Sequence, residues 1–271
     1  MGVIWRVVAF ILLTVVTQVG GIAMLISSLM LRRLGQYAHG WRRRAEIVAA
    51  FFASYVLLTA FVVPPLAWLG GRVPLDCGFG SENYAAANTL YCALNRNYVE
   101  PRVKTAVERL SQHMQQAYPG TITLYLDGNF PFFDGFPLIP HLSHSDGRKL
   151  DLAFYYTDPA GQYVPGGHPS PVGYWAFERP ADGRGACGGR GGWLRWDVSW
   201  FRPFLADMKL DEERTRAAIN WLTTSGREFG VEKLYVEPHL SARLGVGSPL
   251  IHFQGCRAAR HDDHVHFQVS R

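Results

Sequence analysis

No charged side chain occurs between Val7 and Leu31, and none between Ile47 and Leu69. These runs are 25 and 23 residues long. At 1.5 Å rise per residue, either is long enough as a helix to cross a hydrocarbon core of about 30 Å. Neither carries the continuous polar stripe that a surface helix of a soluble domain would show. The sequence therefore predicts a two-helix transmembrane hairpin, with spans of about 7–31 and 47–69. The first run is too long for the apolar segment of a cleaved leader, and a second follows it, so an anchor is expected.

Net charge is missing from the rest of the chain. Residues 72–271 hold 21 basic and 21 acidic side chains, whereas the whole chain is +5. A basic stripe able to release counterions from a phosphate backbone is thereby excluded, and with it a nucleic-acid partner. The excess lies in Arg6, Arg32, Arg33, Arg42, Arg43 and Arg44, set against Glu46. Five of these arginines fall in the connector 32–45, which the positive-inside rule makes cytoplasmic. Residues 72–271 are then expected on the periplasmic or extracellular side of a multi-pass protein of the inner (cytoplasmic) membrane.

Cysteine is absent from both apolar runs, and no Cys-x-x-Cys pair occurs, which argues against a thioredoxin-like motif or a cysteine zinc site. Cys77, Cys92, Cys187 and Cys256 all follow the runs. Two disulfides in an oxidising compartment are expected. Three connectivities are possible; closeness favours Cys77 with Cys92, which leaves Cys187 with Cys256. No internal repeat is present. Six glycines stand between Gly183 and Gly192, but no Gly-Lys-Ser/Thr follows to make a phosphate loop. The stretch 157–192 reads instead as a mobile wall of a substrate cleft. Trp193, Trp196 and Trp200 behind it suit buried packing, or stacking on sugar rings.

What remains predicts an α+β domain with a small, mostly antiparallel sheet, flanking helices and long loops. Residues 72–100 read as a juxtamembrane linker and 101–271 as the domain. Pro101 suits a first helical position, and Val103, Val107, Leu110 and Met114 share one face of a helix ending at Pro119-Gly120. A second helix starts near Asp211. Strands are expected at Thr121–Leu126, Leu150–Tyr156, Val231–Val236 and Asp263–Val269.

Nine of the ten histidines lie after the apolar runs, and five of them gather in two short segments. The first reads His141-Leu-Ser-His144-Ser-Asp-Gly-Arg-Lys-Leu-Asp151, the second His261-Asp-Asp-His264-Val-His266. A catalytic zinc takes three protein ligands of imidazole and carboxylate type and keeps a fourth position open. His144, Asp151 and one of the C-terminal histidines form such a set. His264 and His266 are two apart on a predicted strand and so face the same way. One can bind metal while the other stays within reach of substrate. His39, His113, His168, His239 and His252 stand alone and read as ordinary surface or satisfied core residues.

His144-x6-Asp151 followed by His264-x-His266 resembles the signature of the LAS-type zinc peptidases, which include lysostaphin-type enzymes, D-Ala-D-Ala peptidases and the hedgehog signalling domain. The pattern is most similar to the penicillin-insensitive murein endopeptidases, through His141-x-x-His144, the segment Val231-Glu-Lys-Leu-Tyr-Val-Glu-Pro238 and His261-x-x-His264-x-His266. The resemblance spans roughly Thr121 to Arg271. It implies a zinc ion on His144, Asp151 and His266, with His264, His261 and His141 in catalytic roles, and peptide bonds of peptidoglycan as substrate. The D-Ala-D-Ala branch places a glutamate before the last ligand, where this chain has His261, Asp262 and Asp263. A D-Ala-D-Ala carboxypeptidase or a non-catalytic zinc-binding interaction module are the alternatives.

Overall fold

The computed structural model describes residues 2–33, 40–78, 83–180, 183, 185–188, 195 and 198–271. The central residues of the predicted cytoplasmic connector, His39, several of the glycines between 183 and 192, and Trp193 and Trp196 lie outside the described residues.

The expected first span does not form as one helix. It is divided into α1 (Val3–Thr17) and α2 (Gly20–Arg33). Gln18 between them adopts φ +66°, and its side-chain oxygen accepts the Phe132 N–H at 2.8 Å. Thr17 Oγ1 accepts the Gly20 N–H at 2.8 Å, completing the reversal. The two helices then approach closely: a Cβ on Gly21 would meet Thr14 Oγ1 and the Phe10 ring. In a straight helix residues 10 and 21 would be about 16 Å apart, so the chain folds back on itself. Each half is about 22 Å long, short of the roughly 30 Å hydrocarbon core. The predicted hairpin of two spans is thereby corrected. Among the described residues one helical stretch is long and apolar enough to cross a membrane, Trp41–Leu69. It comprises α3 (Trp41–Leu57), a π-helical stretch (Leu58–Val62) and α4 (Val63–Leu69). Most of its large apolar side chains point outwards, among them Phe52, Val56, Leu57 and Phe61.

The described residues of 72–100 carry secondary structure rather than the irregular linker expected. They carry β1 (Val73–Pro74), β2 (Tyr84–Ala86), α5 (Thr89–Ala93) and β3 (Tyr98–Val99). Leu75, Tyr84, Tyr91 and Val99 belong to the domain's main hydrophobic core.

The chain continues through α6 (Pro101–Ala117), β4 (Thr123–Tyr125), β5 (Lys149–Ala153), β6 (Tyr156–Thr157), β7 (Lys209–Leu210), α7 (Glu212–Thr223), β8 (Val231–Tyr235), α8 (Pro238–Leu244), β9 (Ile251–His252) and β10 (His264–Val269). Six strands form one sheet in the order β2-β4-β5-β10-β8-β9. Its inner pairs are antiparallel, whereas the edge pairs β2/β4 and β8/β9 are parallel. The class is α+β, as expected. Val103, Val107, Leu110 and Met114 of α6 are buried as their spacing predicts, and Asp211 caps α7 by accepting the Arg214 N–H at 3.0 Å. Both expected disulfides are present, Cys77–Cys92 and Cys187–Cys256.

Strand alternation sets the chemistry of the two sheet faces. On β5 and β10, Leu150, Leu152, Val265, Phe267 and Val269 belong to the core. Asp151, His264 and His266 occupy the alternate positions, yet they are buried too, because loops cover that face. Leu110 is fully buried in the core. Leu110→Ala should lower unfolding stability of the full chain in detergent by about 2–5 kcal/mol. Gln112→Ala, on the exposed side of α6, should stay within about 0.5 kcal/mol. Guanidinium titration followed by tryptophan fluorescence measures both.

Candidate metal centre

The antiparallel register of β5 and β10 sets His266 directly opposite Asp151. Asp151 sits in the middle of its strand, not at the start as the sequence suggested. His144 comes from the loop before β5; its Nδ1–H donates to the Gly128 carbonyl at 2.7 Å, which turns Nε2 towards the strands. A carbonyl oxygen can only accept, so neutral His144 carries a lone pair on Nε2. That atom lies 3.0 Å from His266 Nδ1 and 3.2 Å from Asp151 Oδ1. His266 Nδ1 and Asp151 Oδ1 are 2.8 Å apart. Three donor atoms thus converge from three buried residues.

This group can hold a metal ion. Lone pairs of His144 Nε2 and Asp151 Oδ1 facing each other repel unless a cation or proton lies between them. For a tetrahedral ion with bonds of about 2.05 Å, ligand atoms would be about 3.3 Å apart, close to the spacing seen. Burial lowers His266 to about 4 against the pull of Asp151, so it is neutral near pH 7, the form that ligates. Asp151 is held well below the usual carboxylate range: burial opposes this, but His144, His264 and His266 outweigh it.

The other three predicted histidines surround the same carboxylate. His264 Nδ1 donates to Asp263 Oδ1 at 2.6 Å, and its Nε2 is 3.6 Å from Asp151 Oδ1. Burial disfavours its charge, yet Asp151 and Asp263 raise it to about 9. A divalent cation on the three donors would push it back down. His141 Nδ1 donates to Asp127 Oδ2 at 2.7 Å and lies 3.7 Å from Asp151 Oδ2. His261 lies against both neighbours, tilted to His264 and edge-on to His266, with ring centroids 5.0 and 5.6 Å away. Burial first, and then the charge of His264, hold it well below the usual imidazole range. Its Nδ1 is buried with no partner among the described residues. His141 and His264 line a cleft together with Pro140, Tyr174, Trp175 and Arg260.

Several participants escaped the sequence. Tyr174 donates its hydroxyl to Asp151 Oδ2 at 2.7 Å, leaving Oδ1 for the metal position. Asp127, just beyond β4, is held by Arg96 through two contacts of 2.5 and 2.7 Å and in turn fixes His141. Neither lies in a motif; Asp127-Gly128 after a strand was the only local sign. Among the histidines set aside, His168 bonds the Ala87 carbonyl, His239 the Glu178 carbonyl, and His113 stacks on Trp221, as ordinary residues do.

Two outcomes follow. Tyr174→Phe removes the donor to Asp151, and divalent-metal affinity measured against a competing chelator should fall about 10- to 100-fold. In chelator-treated protein, His264, raised to about 9, contributes stability that is fully present below about 6.5 and is lost as pH rises through 9. His266, lowered to about 4, contributes stability present above about 6.5 and lost as pH falls through 4. Melting temperature against pH should therefore fall on both sides of about 6.5, and His264→Asn should remove the alkaline decline while leaving the acid one.

No family model matches the chain and no curated protein matches it, so what the site does has to be argued from its own geometry.

Proposed function

We propose that the chain is a membrane-anchored zinc peptidase that hydrolyses peptide bonds of peptidoglycan on the outer side of the inner membrane. The observation that carries this reading is the convergence of His144 Nε2, Asp151 Oδ1 and His266 Nδ1 beside a fourth imidazole, His264, that opens on a cleft. Two imidazoles and one carboxylate are the ligand types of a hydrolytic zinc site. A zinc ion there supplies a Lewis acid that polarises a carbonyl and acidifies water near neutral pH.

The chain's own groups divide the remaining work. His264 has its Nδ1–H tied to Asp263, so Nε2 is the atom free to take a proton and return it to the leaving amine. Asp263 holds the ring and stabilises its charged form. His141, fixed by Asp127, faces the cleft and positions the substrate amide, and neutral His261 lies behind His264. The likeness of His141-x-x-His144-x6-Asp151 and His261-x-x-His264-x-His266 to the murein endopeptidase pattern supports the substrate class. The membrane-length helix Trp41–Leu69, with Arg42, Arg43 and Arg44 at its start, supports a cytoplasmic N-terminal end for that helix and an exported domain. The two disulfides support an oxidising compartment.

The test is muropeptide mass spectrometry after incubating cell-wall sacculi with the purified full chain, alongside zinc analysis. His266→Ala should lose zinc and hydrolysis together. His264→Ala should keep zinc near one per chain but lose about 100-fold or more in rate. Full activity in the His264 variant, or zinc loss equal to that of His266→Ala, overturns these roles. Bound zinc with no product from any sacculus would leave a binding module instead.

A further inference from the structure

The cleft beside the donor set carries fixed charge of both signs. Among the described residues that line it, Asp263 is the one carboxylate and Arg260 the one arginine or lysine. Both oxygens of Asp263 are engaged, by the Trp175 N–H and by His264 Nδ1–H. Arg260 is held on two sides. Its Nε donates to Asp262 Oδ1 at 2.9 Å, and its Nη2 donates to Oδ2. The Phe177 ring, also part of the cleft wall, lies 4.1 Å from the guanidinium carbon, a cation–π distance. A counterion for Asp262 could face anywhere. This one opens on the cleft, its side chain 14 % exposed where that of Asp262 is 1 % exposed.

A guanidinium has five N–H donors in a planar fork, and the Asp262 pair uses one edge of it. The other edge, Nη1 with the second Nη2 hydrogen, has the same geometry and matches a carboxylate in the same way. A side chain ordered in advance by a salt bridge and a ring loses little freedom when it gains a further partner. The size of the cleft favours a compact group: about 50 Å³, against the roughly 300–1,000 Å³ of a whole-ligand pocket. Apolar side chains have a separate place. A second cavity of about 170 Å³ shares His141, Tyr174 and Trp175 with the cleft but is lined beyond them by Leu90, Leu94 and Val172.

We infer that Arg260 is a specificity-determining residue, donating to a carboxylate of the substrate held in the cleft beside the peptide bond that is cut. Either a chain terminus or an acidic side chain supplies that carboxylate, and the chemistry of recognition is the same. This rests on the peptidase reading above, and the experiment separates the two.

The full chain in detergent is treated with a chelator, so that no metal can take a peptide carboxylate, and titrated by calorimetry. The probes are acetyl-trialanine and its C-terminal amide, and acetyl-alanyl-glutamyl-alaninamide and its glutaminyl counterpart. In at least one pair the carboxylate form should bind about 10-fold tighter than the neutral form, as a charge-assisted bidentate contact predicts. The pair that shows the preference tells a chain terminus from a side chain. Arg260→Gln should bring that ratio to about one while the neutral form stays within about twofold. Arg260→Gln/Asp262→Asn should do the same without stranding a buried acid, which covers the case of a poorly folded single variant. A purely structural arginine would weaken both forms alike and leave the ratio standing. A preference that survives in both variants assigns the carboxylate to another cation, such as protonated His264, and overturns the inference. So does a ratio near one in the unaltered chain, or no binding of any of these peptides at millimolar concentration. Sacculi cut by a chain without the preference leave the peptidase reading standing and remove this one. A preference lost with Arg260 keeps the carboxylate site even where no sacculus is cut.

Discussion

Asp151 and His266 meet because β5 and β10 pair antiparallel in one particular register. Side chains on a strand alternate with period two, so a slip of one residue in either strand would send that strand's group to the opposite face and part the two. The register is fixed by the other face: Leu150, Leu152, Val265 and Phe267 must stay in the core with α6 and α7. Hydrophobic burial, which is non-directional, thereby delivers the directional geometry of a donor set. His144 is added by a single contact with the Gly128 carbonyl, which selects its tautomer as well as its orientation.

The electrostatics around that pair are uneven in an informative way. Three of the buried acids near the site have fixed cations: Asp127 has Arg96, Asp262 has Arg260, and Glu237 has Arg195. Asp151, equally buried, has no arginine or lysine partner among the described residues, only imidazoles and the Tyr174 hydroxyl. A buried carboxylate without a permanent cation is costly. Its charge is balanced by whatever positive species enters the group, either a proton on His264 or a metal ion. The two compete, which ties metal binding to the protonation of the residue placed beside it.

How far this was legible in the chain depended on range. His144, Asp151 and the pair His264 and His266 were picked out from their spacing, since a strand repeat of two and a nearby loop suffice to bring them together, whereas the choice of His266 as the ligand came from the family resemblance. Helix α6 and the last strand were legible for the same reason, their periodicity being local. The break at Gln18 was not. A glutamine within a 25-residue apolar run looks like a tolerated polar residue; what stops the helix is a contact with Phe132, more than a hundred positions away. Residues 72–100 were misread because β1, β2 and β3 are two or three residues long and acquire meaning only from their partners in the sheets. Tyr174 and Asp127 were not picked out because each acts through side-chain hydrogen bonds to residues distant in sequence, which no local pattern encodes.

Trp175 shows how the cleft wall and His264 are built as one unit. Its φ of +76° is a left-handed conformation that a bulky residue rarely adopts. Such a conformation costs on the order of 1–3 kcal/mol and persists only when its surroundings over-determine it. Two contacts do so here: Asp263 Oδ2 accepts the Trp175 N–H at 2.6 Å, and the Phe201 ring lies 5.0 Å from the indole. The other oxygen of the same carboxylate accepts from His264 at 2.6 Å. One side chain therefore sets both the His264 ring and the aromatic wall facing it, and neither can shift without disturbing the other. Tyr174, the preceding residue, reaches in the other direction to Asp151. The dipeptide Tyr174-Trp175 thus spans from the donor set to the cleft, and its strained backbone is what lets consecutive residues serve opposite sides of the site.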